Sequence, residues 1–231
     1  MLRCPGLLFT LAGGLLLAAP AAAGPEAACA GPPRQQEAAP DAVVAAVRAR
    51  GLQVLTFAGY SGAGYQDDAA MRALAGRILD AEDPARVLVN AGGTAEGIGA
   101  VYALARARGF ATLGIVSTLA RDEGTALSPC VDMVFFVPDT TWGGLLPAAD
   151  GRPARLSPTS QAMVQASDRM VAIGGGEVAR DELLAARALG KPVVFHPADF
   201  DHARALDKAR RQGRPAPTDF RGAAHGGLRP E

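Results

Sequence analysis

Three consecutive glycines form the segment of this sequence best suited to hold a negatively charged group. Gly174, Gly175 and Gly176 follow the apolar run 170–173 and precede a run with helical spacing. Glycine lacks a Cβ, so a ligand can reach the backbone N–H groups of such a turn, and the first turn of a helix leaves several donors unpaired at the positive end of its dipole. The pattern predicts that these glycines and Glu177 contact an anionic ligand. A tight turn packed against its neighbours would have the same pattern.

Two more glycine clusters follow β-rich runs at 54–58 and 87–90. Open parallel sheets bind ligands at the carboxyl ends of their strands, so three glycine-bearing strand exits are expected to line one pocket. We expect this pocket to bind a phosphorylated or carboxylated small molecule. The candidate ligand-binding residues of these two clusters are Gly59, Ser61, Gly62, Gly64, Gly92, Gly93, Thr94 and Gly97.

The segments that must position these clusters alternate between the sequence patterns of β-strands and of α-helices. Apolar β-rich runs are separated by segments with helical spacing, several of them preceded by Asp or followed by Gly. This alternation predicts an α/β fold with a doubly wound parallel sheet, Rossmann-like, in a single domain over residues 41–213. The predicted strands are 54–58, 87–90, 111–116, 131–137, 170–173 and 193–195, and the predicted helices are 41–50, 67–80, 97–108, 160–167, 181–189 and 201–212.

Composition excludes several classes of partner. The chain has 231 residues, of which 49% are hydrophobic, enough for one well-buried domain. With 23 basic and 23 acidic residues it lacks the positive electrostatic field of a nucleic-acid-binding protein. Its 5% aromatic residues also provide little surface for stacking on bases. The three histidines, His196, His202 and His225, share no metal-ligand spacing, so we expect no metal site, and we expect no cofactor.

The N-terminus has the features of a signal peptide. A basic start at Arg3, an apolar stretch at 7–19 and small residues before Gly24 predict a signal peptide over residues 1–23 and export, with a periplasmic location. A misassigned start codon upstream of a cytoplasmic protein is the alternative. The apolar stretch is too short for a stable membrane span.

Low-complexity segments flank the predicted domain. Residues 24–40 are rich in Pro and Ala and predict a linker, and residues 214–231 predict a C-terminal tail. Cys29 lies in the linker, where it has the alternatives of lipidation or pairing with Cys130. One disulfide is arithmetically possible, but we do not predict it, because a linker gives Cys29 no fixed position.

Two of the glycine segments resemble the LOG or "lysine decarboxylase-like" Rossmann family, part of the wider set of nucleotide-binding SLOG domains. The segment 90–101 is similar to the family's first glycine motif, and 174–182 overlays on its second, Pro-Gly-Gly-x-Gly-Thr-x-x-Glu. The resemblance spans about residues 52–197. It implies a nucleoside 5'-monophosphate phosphoribohydrolase that cleaves an N-glycosidic bond. It also implies a homodimer, for which the helix 97–108 and the helix from Ser160 offer small apolar faces.

This chain resembles a divergent member of that family. Val178 and Ala179 replace the Gly-Thr pair that binds phosphate, and Thr159 stands where the family has its catalytic arginine. Glu182 matches the family's active-site glutamate, which implies a catalytic role in hydrolysis, with Arg180 as a stand-in for the lost arginine.

Both catalytic candidates have alternatives. Arg155 is another candidate to replace the arginine. Glu182 would also stabilise the start of a helix by about 0.3–1 kcal/mol without any catalytic role. Three functions therefore stay open: binding of a nucleotide-like or phosphorylated small molecule without turnover, N-glycosidic hydrolysis, and non-catalytic partner binding through the C-terminal tail.

Overall fold

A seven-stranded parallel sheet forms the centre of the molecule. The protein is described from a computed structural model covering Cys29 and residues 31–149 and 153–228, so the predicted signal peptide lies outside the described residues. The strands are β1 (Arg34–Glu37), β2 (Gln53–Gly59), β3 (Val87–Asn90), β4 (Ala111–Ser117), β5 (Met133–Val137), β8 (Arg169–Ile173) and β9 (Val193–His196), with a separate antiparallel pair β6 (Leu145–Leu146) and β7 (Arg155–Leu156). The sheet order is β1-β5-β4-β3-β2-β8-β9, and its pairs are parallel.

Helices cover both faces of this sheet. They are α1 (Pro40–Arg48), α2 (Asp68–Asp80), α3 (Val101–Ala107, after a 3₁₀ turn at Gly97–Ala100), α4 (Thr118–Asp122), α5 (Pro158–Ala166), α6 (Glu177–Ala188), α7 (His202–Arg211) and α8 (Gly222–Gly227). Alternate residues of β2 point to opposite layers: Leu55 and Phe57 pack with α2 and α3, whereas Val54 packs with α1 and α5. The predicted doubly wound α/β fold in a single domain is confirmed.

Helix starts follow the capping residues in the sequence. Asp67 accepts a hydrogen bond from the backbone N–H of Ala70 at 2.8 Å, and Asp201 accepts one from Arg204 at 3.0 Å. The helix predicted at 181–189 instead begins at Glu177, directly after the glycine turn. The helix predicted at 97–108 starts with a 3₁₀ turn.

The prediction of a linker through residue 40 is wrong for its last residues. Residues 34–37 form β1, which pairs in parallel with β5 at the sheet edge, and α1 begins at Pro40. A disulfide joins Cys29 to Cys130, a bond that we do not predict from the sequence. The parallel pairing explains it, because Arg34 is in register with Met133, so the chain that enters β1 runs beside the chain that enters β5.

The predicted C-terminal tail is also part of the domain over its described residues. Helix α8 packs on α6, with Ala224 and Leu228 buried. The N–H of Ala224 donates to the carbonyl of Gly175 at 3.0 Å, and the hydroxyl of Tyr60 lies 2.7 Å from the carbonyl of Arg221. Residues 220–228 are therefore packed on the domain and do not form a free tail. Within the described ranges no helix is long and apolar enough to cross a membrane.

Candidate functional site

A cavity of about 220 Å³ lies at the carboxyl ends of β2, β3 and β4. Helix α5 and the first two turns of α6 close its side, and Trp142, on the loop before β6, forms part of its rim. The lining residues are Thr56, Phe57, Ala58, Gly59, Ser61, Ala91, Gly92, Thr94, Ile98, Ile115, Val116, Ser117, Trp142, Thr159, Met163, Val178, Ala179 and Glu182.

Two of the three glycine clusters, and the start of the helix that follows the third, contribute to this cavity. The β2 exit supplies Gly59 and Ser61, and the β3 exit supplies Gly92 and Thr94. The third segment supplies Glu182, together with Val178 and Ala179 of the first turn of α6. Five predicted site residues therefore share one cavity: Gly59, Ser61, Gly92, Thr94 and Glu182.

The remaining predicted residues do not line this cavity, although Gly62 lines a neighbouring one. The residues outside the cavity lining are Gly62, Gly64, Gly93, Gly97, Gly174, Gly175, Gly176, Glu177 and Arg180. Two of these glycines allow close backbone contacts instead. A Cβ at Gly97 would lie 2.1 Å from the carbonyl oxygen of Tyr60, and Gly93, with φ +108°, packs against the backbone of Gly114.

The glycine triplet itself packs against protein atoms. Gly174 has φ +60° and a Cβ there would lie 2.4 Å from the ring of Tyr60, and Gly175 has φ +139° and a Cβ would lie 2.7 Å from that of Ala179. Only Gly176 has open space around it, where it caps α6. The first two glycines thus form a tight packed turn, which is the alternative given above to a ligand-binding turn.

Two tyrosines pack together at the carboxyl ends of the neighbouring strands β2 and β8. The hydroxyl of Tyr65 donates to the carbonyl of Ile173 at 2.8 Å and accepts from the N–H of Tyr60 at 3.1 Å. A Cβ at Gly59 would lie 2.0 Å from this hydroxyl. Gly59 is therefore required for the tyrosine contact as well as lining the cavity.

Glu182 is the only ionisable side chain among the described residues that line the cavity. It is 6% exposed, and its Oε1 accepts a hydrogen bond from the Ser160 hydroxyl at 2.6 Å. The N–H of Gly144 in turn donates to that hydroxyl at 2.7 Å, which fixes its direction. Burial raises the pKa of Glu182 to about 7, with the Ser160 hydrogen bond opposing the rise. This carboxyl can therefore exchange a proton near neutral pH.

Neither candidate replacement for the family arginine lines the cavity. The guanidinium of Arg180 pairs with Asp181 at 2.8 Å. Asp181 also accepts a hydrogen bond from the N–H of Leu145 at 2.9 Å, which joins this pair to β6. Arg155 is exposed and lies on β7.

Thr159 borders the cavity beside a structured acidic turn. Its N–H donates to Asp139 at 3.0 Å, and its buried hydroxyl has no hydrogen-bond partner within the described part of the chain. Burial disfavours ionisation of Asp139, but the N–H groups of Thr159 and Thr141 hold its pKa below the usual value. The position that the resemblance assigns to an arginine thus has a short uncharged side chain, and its backbone N–H is held by a carboxylate.

A second cavity of about 500 Å³ adjoins the first. The two share Ser61, Thr94 and Trp142, so they form one crevice. Trp142 is 43% exposed. The carboxylate of Glu96 in this outer part pairs with Arg204 at 3.2 Å.

Sequence reasoning missed Ser160 as part of the site. It acts on a residue about twenty positions away, through its side-chain contact to Glu182. The polar residue Ser117 at the end of β4 was detectable, because it occupies the same kind of strand exit as the glycine clusters.

The fold and the crevice define an α/β protein with a ligand-sized site at the carboxyl edge of its parallel sheet. Among the described residues no group of three or more His, Cys, Asp or Glu side chains is placed to hold a metal ion. No family model matches the sequence, and no curated protein matches it at a significant level.

Solved structures with similarity to this chain include three proteins. One is TM1055, a structural genomics target, with 23% identity and a TM-score of 0.46, covering 62% of this chain and 72% of that one. Another is the molybdenum cofactor binding protein from the phototrophic bacterium Rippkaea orientalis, with 16% identity, a TM-score of 0.45 and coverages of 70% and 85%. The third is the molybdenum cofactor carrier protein from Chlamydomonas reinhardtii, with 20% identity, a TM-score of 0.42 and coverages of 62% and 76%. Membership of the LOG family stays a prediction.

Proposed function

We propose that this chain binds a nucleotide or similar phosphorylated small molecule in the crevice without hydrolysing it. The observation that carries the proposal is the convergence of two glycine-bearing strand exits and the first turn of α6 on one cavity. Strand ends of a parallel sheet and a helix N-terminus are the usual surroundings of a bound phosphate in α/β proteins.

The lining suggests how such a ligand would be held. The phosphate would lie against the backbone at Val178 and Ala179, within reach of the hydroxyls of Ser61 and Thr94. The base of a bound nucleotide would pack on Trp142, which borders both parts of the crevice. Because no Lys or Arg occurs among the described lining residues, we expect affinity to change little with salt.

Hydrolysis of the N-glycosidic bond is a second candidate function. One observation favours it: Glu182 has a pKa of about 7 and lines the cavity, as a general acid or base requires. The lack of a cation argues against it, since neither Thr159 nor any other described residue of the lining replaces the family arginine.

A panel of nucleoside 5'-monophosphates tests both candidates. We expect raised thermal stability with at least one of them, because a ligand that binds only the folded state stabilises it, and no release of free base. Release of base that falls about 10²-fold in Glu182→Gln would establish the hydrolase instead. If no nucleotide stabilises the protein and none releases free base, both candidate functions are contradicted.

We also propose that the protein is exported to the periplasm. The disulfide between Cys29 and Cys130 supports this proposal, because such bonds persist in oxidising compartments and are rare in the cytosol. N-terminal sequencing of protein from the native host should start near Gly24. An intact Met1 on protein in which Cys29 and Cys130 are free thiols would contradict export.

We propose a homodimer, but through a different surface from the one expected. The apolar faces of α3 and α5 are buried within the chain, against α2 and against α1. The exposed apolar side chains Leu184, Leu189 and Val194 are better candidates for an interface. A mass measurement at micromolar concentration should give a dimer, and a monomer would contradict this.

A further inference from the structure

A basic groove of about 680 Å³ lies next to the β2 exit. Gly59 and Ser61 line the cavity, the intervening Tyr60 lines the groove, and Gly62 lines both the groove and the outer part of the crevice. Helix α7 forms one wall, and the segment 212–217 forms part of the rim.

One face of α7 supplies three cations to this groove. Arg204, Lys208 and Arg211 are spaced by four and three residues, so they lie on the same side of the helix over a length of about 10 Å. Arg214 joins them from beyond the helix, because its N–H donates to the carbonyl of Ala209 at 2.9 Å and turns the chain back.

Three of the four cations that line the groove make no ion pair with a described acidic residue. Arg204 pairs with Glu96 and Asp201, and the one acidic residue of the lining, Asp207, pairs with Arg210 outside the groove. In the described part of the chain Lys208, Arg211 and Arg214 make no ion pair. The chain as a whole has a formal net charge of zero, so this positive surface is local.

Stabilisation of the helix dipole does not account for the arrangement. Basic residues in the last turn of a helix do stabilise its C-terminus, and Lys208, Arg210 and Arg211 are placed for that effect. Arg210 does not line the groove, however, and Arg214 lies outside the helix but lines it. The groove residues thus share a concave surface rather than a position in the helix.

We propose that this groove binds a soluble phosphorylated small molecule with two or more negative charges, at a site distinct from the crevice. Three unpaired cations spread along a wall match a diphosphate or polyphosphate better than a single carboxylate. Arg side chains recognise phosphate oxygens in pairs of hydrogen bonds, and Lys contributes a point charge.

Calorimetric titration of the full chain with pyrophosphate tests this assignment. We expect saturable binding that weakens as salt rises, a loss of about tenfold in Lys208→Ala or Arg211→Ala, and about a hundredfold in the double variant. Arg187→Ala is the matched control, because it removes the same charge from the last turn of another helix, α6, and Arg187 does not line the groove. It should bind within about twofold of the wild type.

Several results would overturn the proposal. Absence of pyrophosphate binding would do so, as would an equal loss in Arg187→Ala, which would mean that overall charge governs the effect. Retention on phosphatidylserine vesicles that is lost in the double variant, without pyrophosphate binding, would assign the groove to a membrane headgroup. Nucleotide binding reported by Trp142, which does not line the groove, should be unchanged in the double variant, so the two proposals can fail separately.

Discussion

The buried carboxyl of Glu182 makes the stability of this protein depend on pH in a way that one substitution removes. Its pKa rises from 4.5 to about 7 in the folded chain, chiefly through burial. In the unfolded chain this carboxyl ionises at a lower pH than in the folded chain, so the unfolded state binds fewer protons than the folded state between these two pKa values. The free energy of unfolding therefore falls as pH rises from 4.5 towards 7. At 1.36 kcal/mol for each pK step, the loss is about 3 kcal/mol above pH 7.

Glu182→Gln should abolish this loss. Glutamine does not titrate, and its carbonyl can still accept the hydrogen bond from Ser160. We therefore expect the stability of the variant relative to wild type to improve by about 3 kcal/mol between pH 4 and pH 8, an order-of-magnitude figure.

Urea unfolding at a series of pH values measures this difference. Glu177→Gln is the matched control, since Glu177 is exposed in the first turn of the same helix, and this variant should not reproduce a relative gain of about 3 kcal/mol. A difference between Glu182→Gln and wild type that stays constant over the whole range would refute the argument. It would mean that Glu182 is ionised in the folded protein without penalty.

Two further substitutions test other parts of the account. Cys29→Ser should lower the free energy of unfolding by about 2–4 kcal/mol, because the disulfide closes a long loop, and an unchanged urea midpoint would contradict this. Gly175→Ser should destabilise by about 2 kcal/mol or more through its positive φ and its contact with Ala179, whereas Gly176→Ser, in open space at the start of α6, should be neutral or stabilising. Equal effects at the two glycines, measured by thermal unfolding, would show that the turn is not constrained as described.

The alternation of strands and helices was predictable because the buried strands are strongly apolar. Strand β3 has the predicted bounds, 87–90, and β8 differs by one residue. The edge strand β1 was missed for the opposite reason: its sequence is Arg-Gln-Gln-Glu and its four side chains are exposed, so no hydrophobic pattern marks it. The disulfide followed from this strand and was missed with it.

The site was predictable where it depends on local sequence. Strand exits with glycine located Gly59 and Gly92, and the motif resemblance located Glu182. The difference between a glycine that lines a cavity and one that packs, such as Gly174, lies in residues distant in the chain, here the ring of Tyr60. The hydrogen bond from Ser160 to Glu182 is likewise a tertiary contact that no local pattern encodes.

Tryptophan fluorescence tests the central claim, binding in the crevice, most directly. Trp142 is the only tryptophan in the chain and borders both parts of the crevice. Titration with nucleoside 5'-monophosphates should give a saturable change for at least one of them. Ser61→Leu, which narrows the crevice, should abolish that change, and Ala63→Leu, on the same loop but outside the crevice, should retain it. No saturable change with any nucleotide, or wild-type titration in Ser61→Leu, would contradict the account.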